Sequence, residues 1–100
     1  MAELTVVYWR DIPAQVIVKA GRRQARRQLD DRFQEAIDRA AMRAGLHGTD
    51  DYLGAWRRSE PQACGDDVEA EADAARARLE SAFPDAALQA LAAAGGKRQP

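Results

Sequence analysis

The sequence predicts an α+β domain in which an N-terminal β-hairpin is followed by a long amphipathic helix and about three shorter helices. Two runs rich in β-branched and aromatic residues stand near the start, LTVVYW at 4–9 and AQVIVK at 14–19. A three-four spacing of apolar residues then sets in near Ala25 and continues to Ala44. The rest of the chain is rich in alanine and divided by capping and breaking residues, the pattern of short helices.

In the first strand, Leu4, Val6 and Tyr8 face one way and Thr5, Val7 and Trp9 the other. In the second, Ala14, Val16 and Val18 oppose Gln15, Ile17 and Lys19. Both faces are partly apolar, so both are candidates for burial. Residues 10–13 read as a four-residue turn, because Pro13 holds Ile12 extended and Asp11 can bond its own backbone. That is too short for a parallel crossover, so the two strands form a hairpin.

Between Arg22 and Ala44, the residues Ala25, Leu29, Phe33, Ala36, Ile37 and Ala40 lay one stripe along a helix of about six turns. Gly45 is its stop signal. Thr49, Asp50 and Asp51 open a short helix presenting Tyr52, Leu53 and Trp56, which ends before Pro61. Residues 59–65 read as a loop. Asp66 or Asp67 then caps a third helix with Val68, Ala72, Ala75, Leu79 and Phe83 on its stripe. Pro84 and Asp85 start a fourth, carrying Leu88 and Leu91 and closed by Gly95 and Gly96. The expected organisation is a single domain over 1–94, its helical extension at 66–94, and a disordered tail at 95–100. A lone two-stranded hairpin is marginal in water and leaves two open edges, so either the helices cover it and its edges stay short or another chain completes the sheet; completion by a second copy or by a different protein is the favoured expectation.

Composition narrows the function classes. The 100 residues form one domain, with aromatics at only 6% and much of the 46% hydrophobic content contributed by alanine. A single cysteine, Cys64, makes no disulfide within the chain and no multi-cysteine zinc site. The start of the chain has Glu3 where a signal peptide wants basic residues, and its apolar run is too short for a membrane span. A cytoplasmic location is expected. Net charge is −1, unlike most nucleic-acid binders, but it is unevenly spread. Residues 1–58 carry eleven Lys/Arg against eight Asp/Glu, and residues 59–100 four against eight. Arginine makes up thirteen of the fifteen basic residues, a bias that goes with GC-rich bacterial genomes.

The strongest candidate for a binding site is the basic run Lys19, Arg22, Arg23, Arg26 and Arg27. Helix N-termini are already partly positive, so cations placed there call for an anion. On the predicted helix Arg22 and Arg26 prolong the apolar stripe, while Arg23 and Arg27 lie at its margin. Three answers stay open: carboxylates of the same chain, such as Asp11 or the acidic third helix; an acidic partner surface; or a nucleic acid or phosphate-bearing ligand, which arginine forks fit well. Arg10 and Asp11 at the hairpin tip are either turn residues or part of that surface. Tyr8, Trp9 and Trp56, each close to an arginine, have the composition of interface anchors, while the two tryptophans equally suit the core, Trp56 above all because the domain has few large residues to spare. Nothing points to catalysis, a cofactor or a metal. His47 is a lone loop histidine, Cys64 sits among acids that disfavour a thiolate, and no serine stands in a nucleophile elbow.

The pattern VVYWRDIPAQVIVKAGRR, followed by an amphipathic helix and YLGAWRR, resembles a small bacterial family known as virulence factor. It is also similar to the terminal segment of the larger conserved virulence factor C-type proteins. The likeness covers residues 1–58, and its most specific part is YWRDIP. Stand-alone members are associated with genes of folate-dependent one-carbon metabolism, which implies an accessory or subunit role. The resemblance implies no reaction. The expected function is that of a non-catalytic accessory or assembly subunit, possible as a homodimer, binding a larger protein through its hairpin and arginine-led helix start. The alternative is a binder of nucleic acid or of a phosphate-bearing ligand.

Overall fold

A computed structural model describes residues 2–46, 48 and 50–98 of the chain. Strands β1 (Ala2–Trp9) and β2 (Ile12–Ala20) form the expected antiparallel hairpin, but the turn is two residues, Arg10 and Asp11, rather than four. Arg10 takes φ +53°, within the positive-φ region that short hairpin loops favour. The pairing runs from Glu3 opposite Lys19 to Val7 opposite Gln15, then shifts to Tyr8 opposite Pro13. Ala14 is thereby the extra residue of a bulge. A bulge tolerates proline because the ladder is already interrupted there, which is why Pro13 lies inside the strand. The Ala14 carbonyl accepts from the Leu29 N–H at 3.1 Å.

The arginine-rich segment expected to begin the long helix is instead a strand. β3 (Arg23–Gln28) pairs antiparallel with β2, with Ala25 opposite Val18 and Arg26 opposite Ile17. The helix, α1 (Asp31–Arg43), is correspondingly shorter than predicted. Arg, Gln and Ala favour helix by only a few tenths of a kcal/mol each, about the scale that burying one side chain in a sheet overrides. Turning at Gly21 (φ +61°) and Arg22 brings Ala25 onto the buried face, where it is 3% exposed. Leu29, Phe33, Ala36, Ile37 and Ala40 keep their expected place in the core.

After α2 (Asp50–Gly54) come two strands of three residues each, β4 (Trp56–Arg58) and β5 (Gln62–Cys64), both antiparallel to β1. The sheet order is β3-β2-β1-β4, with β5 also on β1. β3 on one side and β4 with β5 on the other thus flank the hairpin from within the chain, so the sheet does not rest on a second chain as expected, and among the described residues the outer side of β3 stays an open edge. Hydrogen bonds between Val6 and Ser59 seal the junction of β4 and β5: Val6 N–H donates to Ser59 Oγ (2.9 Å) and Ser59 N–H to the Val6 carbonyl (2.8 Å).

Helix α3 (Val68–Ala82) is capped by Asp67, one of the two expected candidates, which accepts from Ala70 N–H at 3.1 Å. Its Val68, Ala72 and Ala75 pack on Leu4, Val6, Val16, Val18 and Ala25, making one core between helix and sheet. A second core joins the hairpin tip to α1 and α4 (Asp85–Ala93) through Trp9, Ile12, Leu29, Phe33, Ile37, Leu88 and Leu91. Leu79 touches both cores. Helices α1 and α4 end alike: Leu46 N–H bonds to the Ala41 carbonyl and Gly96 N–H to the Leu91 carbonyl, a Schellman closure with Gly45 and Gly95 at positive φ.

Residues 95–98, expected in a disordered tail, form a strap across the hairpin tip. Asp11 N–H donates to the Gly96 carbonyl (2.8 Å) and Arg10 Nη1 to the Gly95 carbonyl (2.9 Å). Arg98 N–H in turn donates to Asp11 Oδ2 (2.5 Å). Gln99 and Pro100 lie outside the described residues, as do His47 and Thr49.

Candidate functional site

Helix α3 covers one face of the sheet, and strand alternation sends the other residues to a face that no described element covers away from the hairpin tip. The register builds this face row by row: Glu3, Lys19 and Gln24; then Thr5, Ile17 and Arg26; then Arg58, Val7, Gln15 and Gln28. Ile17 is only 2% exposed and Val7 9%, although no helix lies over them. Their register neighbours on this face include Gln15, Lys19, Arg26 and Gln28, side chains of the kind whose stems cover apolar surface while their polar heads stay in water. Lys19, Arg26 and Arg58 are exposed and make no side-chain hydrogen bond or ion pair with a described residue. Glu3 is the one acid in these rows. The open face is therefore polar, amide-rich and net positive. At the β4 side a shallow cleft of about 390 Å³ is lined by Val7, Gln15, Trp56, Arg57 and Arg58.

The predicted basic cluster is divided by the strand that carries it. Arg23 and Arg27 fall on the α3 side of β3, and Arg26 on the open side. Arg27 is answered within the chain, donating to Glu69 Oε1 (2.5 Å) and Asp73 Oδ1 (2.8 Å) of α3. Hydrogen bonds to Glu69 and then Asp73 push the guanidinium pKa up from its ordinary value. Arg23 donates to the Asp66 carbonyl (3.0 Å). Arg22 sits exposed in the turn before β3 and is unpaired among the described residues. These arginines do not extend the apolar stripe of a helix, because the segment is not helical.

The hairpin tip is turned inward. Trp9, expected as an interface aromatic, is fully buried: its ring lies 5.6 Å from that of Tyr52 with the planes tilted by 36°, and its indole N–H donates to the Tyr52 carbonyl at 2.9 Å. It is a core residue. Tyr8 lies under the Arg57 guanidinium at 4.5 Å, and Arg57 also reaches the Arg10 carbonyl (2.9 Å) and Asp11 Oδ1 (3.3 Å). Arg10 and Asp11 are thus committed to the strap and to β4. Trp56 meets Tyr52 edge-on at 6.3 Å and is half-buried, with its other side on the open-face cleft. Arg58 and Gln15 were not legible as site residues, because β4 read as the end of a helix. The available signal was the repeated aromatic-arginine composition of Trp56, Arg57 and Arg58.

A further cleft of about 380 Å³ lies between the end of α3, α4 and Lys97–Arg98, with Phe83 and Leu91 on its wall. Burial, then Glu71, Asp66 and Glu3, pushes the Cys64 thiol pKa up, which holds it protonated. Among the described residues no three His, Cys, Asp or Glu side chains stand grouped to hold a metal ion, and no helix is long and apolar enough to cross a membrane.

No curated protein and no solved structure matches the chain. A family model described as virulence factor matches residues 7–92, from within β1 to near the end of α4. The likeness therefore extends beyond the first 58 residues to both long C-terminal helices, and the chain belongs to the virulence factor family.

Proposed function

We propose that this chain is a non-catalytic accessory or assembly subunit that binds an acidic surface of a larger protein through its open sheet face. One observation carries the reading: a face that no described element covers away from the hairpin tip holds three cations, Lys19, Arg26 and Arg58, that no described residue answers. A solvated sheet face needs no such imbalance, since mixed charge keeps it equally soluble. Arginine and aromatic side chains, here Arg58 beside Trp56, are the types that interface centres favour. The association of related genes with one-carbon metabolism and the family's name are both compatible with a subunit role. The alternative, a nucleic acid or phosphate ligand held jointly by Arg22, Arg23, Arg26 and Arg27, has less support, since Arg27 is engaged by Glu69 and Asp73.

The test is capture from the native organism with the wild-type chain and with Lys19→Glu, Arg26→Glu, Arg58→Glu combined. A protein retained by the wild type and lost from the triple variant, with circular dichroism unchanged, supports the reading. A strictly monomeric chain that retains nothing, or a partner indifferent to the three reversals, overturns it.

A further inference from the structure

We propose that the outer edge of β3 receives an acidic, extended segment of the partner chain as a sixth strand. This deepens the function proposed above and rests on it. β3 pairs only with β2 among the described residues, so its other side presents a row of unpaired backbone groups over six residues. An edge of this length is what β-strand addition uses: backbone bonds supply affinity and alternate side chains supply specificity. The two opposite edges are much shorter, at three residues each, and are separated by Pro61.

Charge selects the occupant. Arg22, Arg23, Arg26 and Arg27 stand in or beside the edge, and among the described residues only Arg27 is answered by carboxylates. A second copy of this chain pairing antiparallel on the same edge meets this charge in every central register. Arg26 falls opposite Arg26, or Arg23 opposite Arg27, or the arginines lie diagonally adjacent. Like charges so placed are destabilising, so the edge rejects its own kind and favours an acidic strand.

The two faces then set different requirements. On the open face the incoming strand meets Gln24, Arg26 and Gln28, with Lys19 one strand further in. Acidic side chains fit there. On the α3 side it meets Arg23 at the end of the strand, held by the Asp66 carbonyl, then Ala25, and Arg27 already covered by Glu69 and Asp73. Neutral or apolar residues fit there, because those two carboxylates repel a third. The sequence recognised is an alternation of acidic and small neutral or apolar residues. The Arg26 carbonyl, occupied now by Arg27 Nη1 at 3.0 Å, is freed by rotation of one exposed side chain.

The experiment titrates the full chain with three synthetic octapeptides, followed by the backbone amide resonances of residues 23–28. One alternates Glu with Val and Thr; the second has Lys for Glu; the third keeps the Glu charges but has proline at alternate positions. The expected result is binding of the first, at least about tenfold weaker binding of the second, and loss of binding with the third. Arg26→Glu in the chain should invert the preference between the first two. Equal binding of the proline peptide overturns strand addition, because charge alone then suffices. Preference for a single-stranded oligonucleotide over the Glu peptide, or self-association through β3, overturns the choice of occupant. Retention of the native partner by a Gln24→Pro chain that has lost the Glu peptide overturns the edge inference alone. Loss of that partner only in the Lys19, Arg26, Arg58 variant then leaves the open-face reading standing.

Discussion

Replacing Gly96 by alanine should destabilise the domain far more than the same change at Gly45, although both close a helix in the same kind of motif. Gly96 has φ +89°, and an added Cβ would lie 2.8 Å from Trp9 Cζ3, 3.2 Å from Trp9 Cε3 and 3.4 Å from Arg10 Cβ. Carbon atoms in good contact stand about 3.5–4.0 Å apart, so the methyl group intrudes by about 0.7 Å or more. The indole has no room to yield: it is fully buried, its N–H is bonded to the Tyr52 carbonyl, and the Tyr52 ring lies tilted against it. Left-handed backbone with a side chain costs about 1 kcal/mol and overpacking a rigid site about 1–3 kcal/mol, giving about 3 kcal/mol together. Gly45 has φ +73° and nothing within 4 Å of its added Cβ, so only the backbone part applies. The gain from stiffening the unfolded chain is common to both and cancels in their difference. At about 4–8 °C per kcal/mol for a domain of this size, the difference of about 2 kcal/mol should lower the Gly96→Ala midpoint by about 8–16 °C more than that of Gly45→Ala. Thermal unfolding followed by circular dichroism and tryptophan fluorescence reads both. Equal shifts would refute the reasoning, since they would mean that the strap gives way and does not hold Trp9.

Ser59→Ala removes the acceptor of the Val6 N–H and should cost about 1 kcal/mol, a fall of about 4–8 °C, while Ser59→Thr keeps the bond; urea unfolding of the two separates hydroxyl from volume. Cys64 should alkylate with iodoacetamide more slowly than a free-thiol peptide at pH 8. Its raised pKa means that the native state holds the proton more tightly than the unfolded state does. Its contribution is therefore intact below the free thiol's pKa and is lost as pH rises beyond about 8.5, a fall that Cys64→Ala should remove. Arg27→Gln should lower the unfolding midpoint at low salt, and the gap should narrow in 1 M NaCl, where screening acts within about 3 Å. A gap unchanged by salt would assign the loss to the side-chain stem.

What was legible in the sequence follows the strength of each pattern. Strands dense in β-branched residues, such as 4–9 and 14–19, and the caps Asp67, Gly45 and Gly95 read directly because their cause is local. β3 did not, because its two-residue alternation contains a single apolar member, Ala25, among residues that equally suit a helix. Trp56 to Arg58 and Gln62 to Cys64 are three-residue strands whose pairing with β1 is decided by Ser59 and by the hairpin's need for a neighbour. The candidate site suffered accordingly. Charge alone marks Lys19 and Arg26, yet only the register shows that they share a face with Arg58, and only the packing of α3 shows that Arg27 is answered by Glu69 and Asp73. Trp9 was misplaced because composition alone does not tell an anchor from a keystone.

The strap joins the two ends of the chain: Arg10 bonds to Gly95 and Asp11 to both Gly96 and Arg98, across more than eighty residues of sequence. During synthesis the hairpin emerges first, but its tip gains these bonds only when residues 95–98 have cleared the ribosome. Until then Trp9 lacks the cover of Gly96 and of Leu88 and Leu91. The packing around the hairpin tip therefore closes only when α4 and the segment after it are in place, the long-range contacts that are slowest to form.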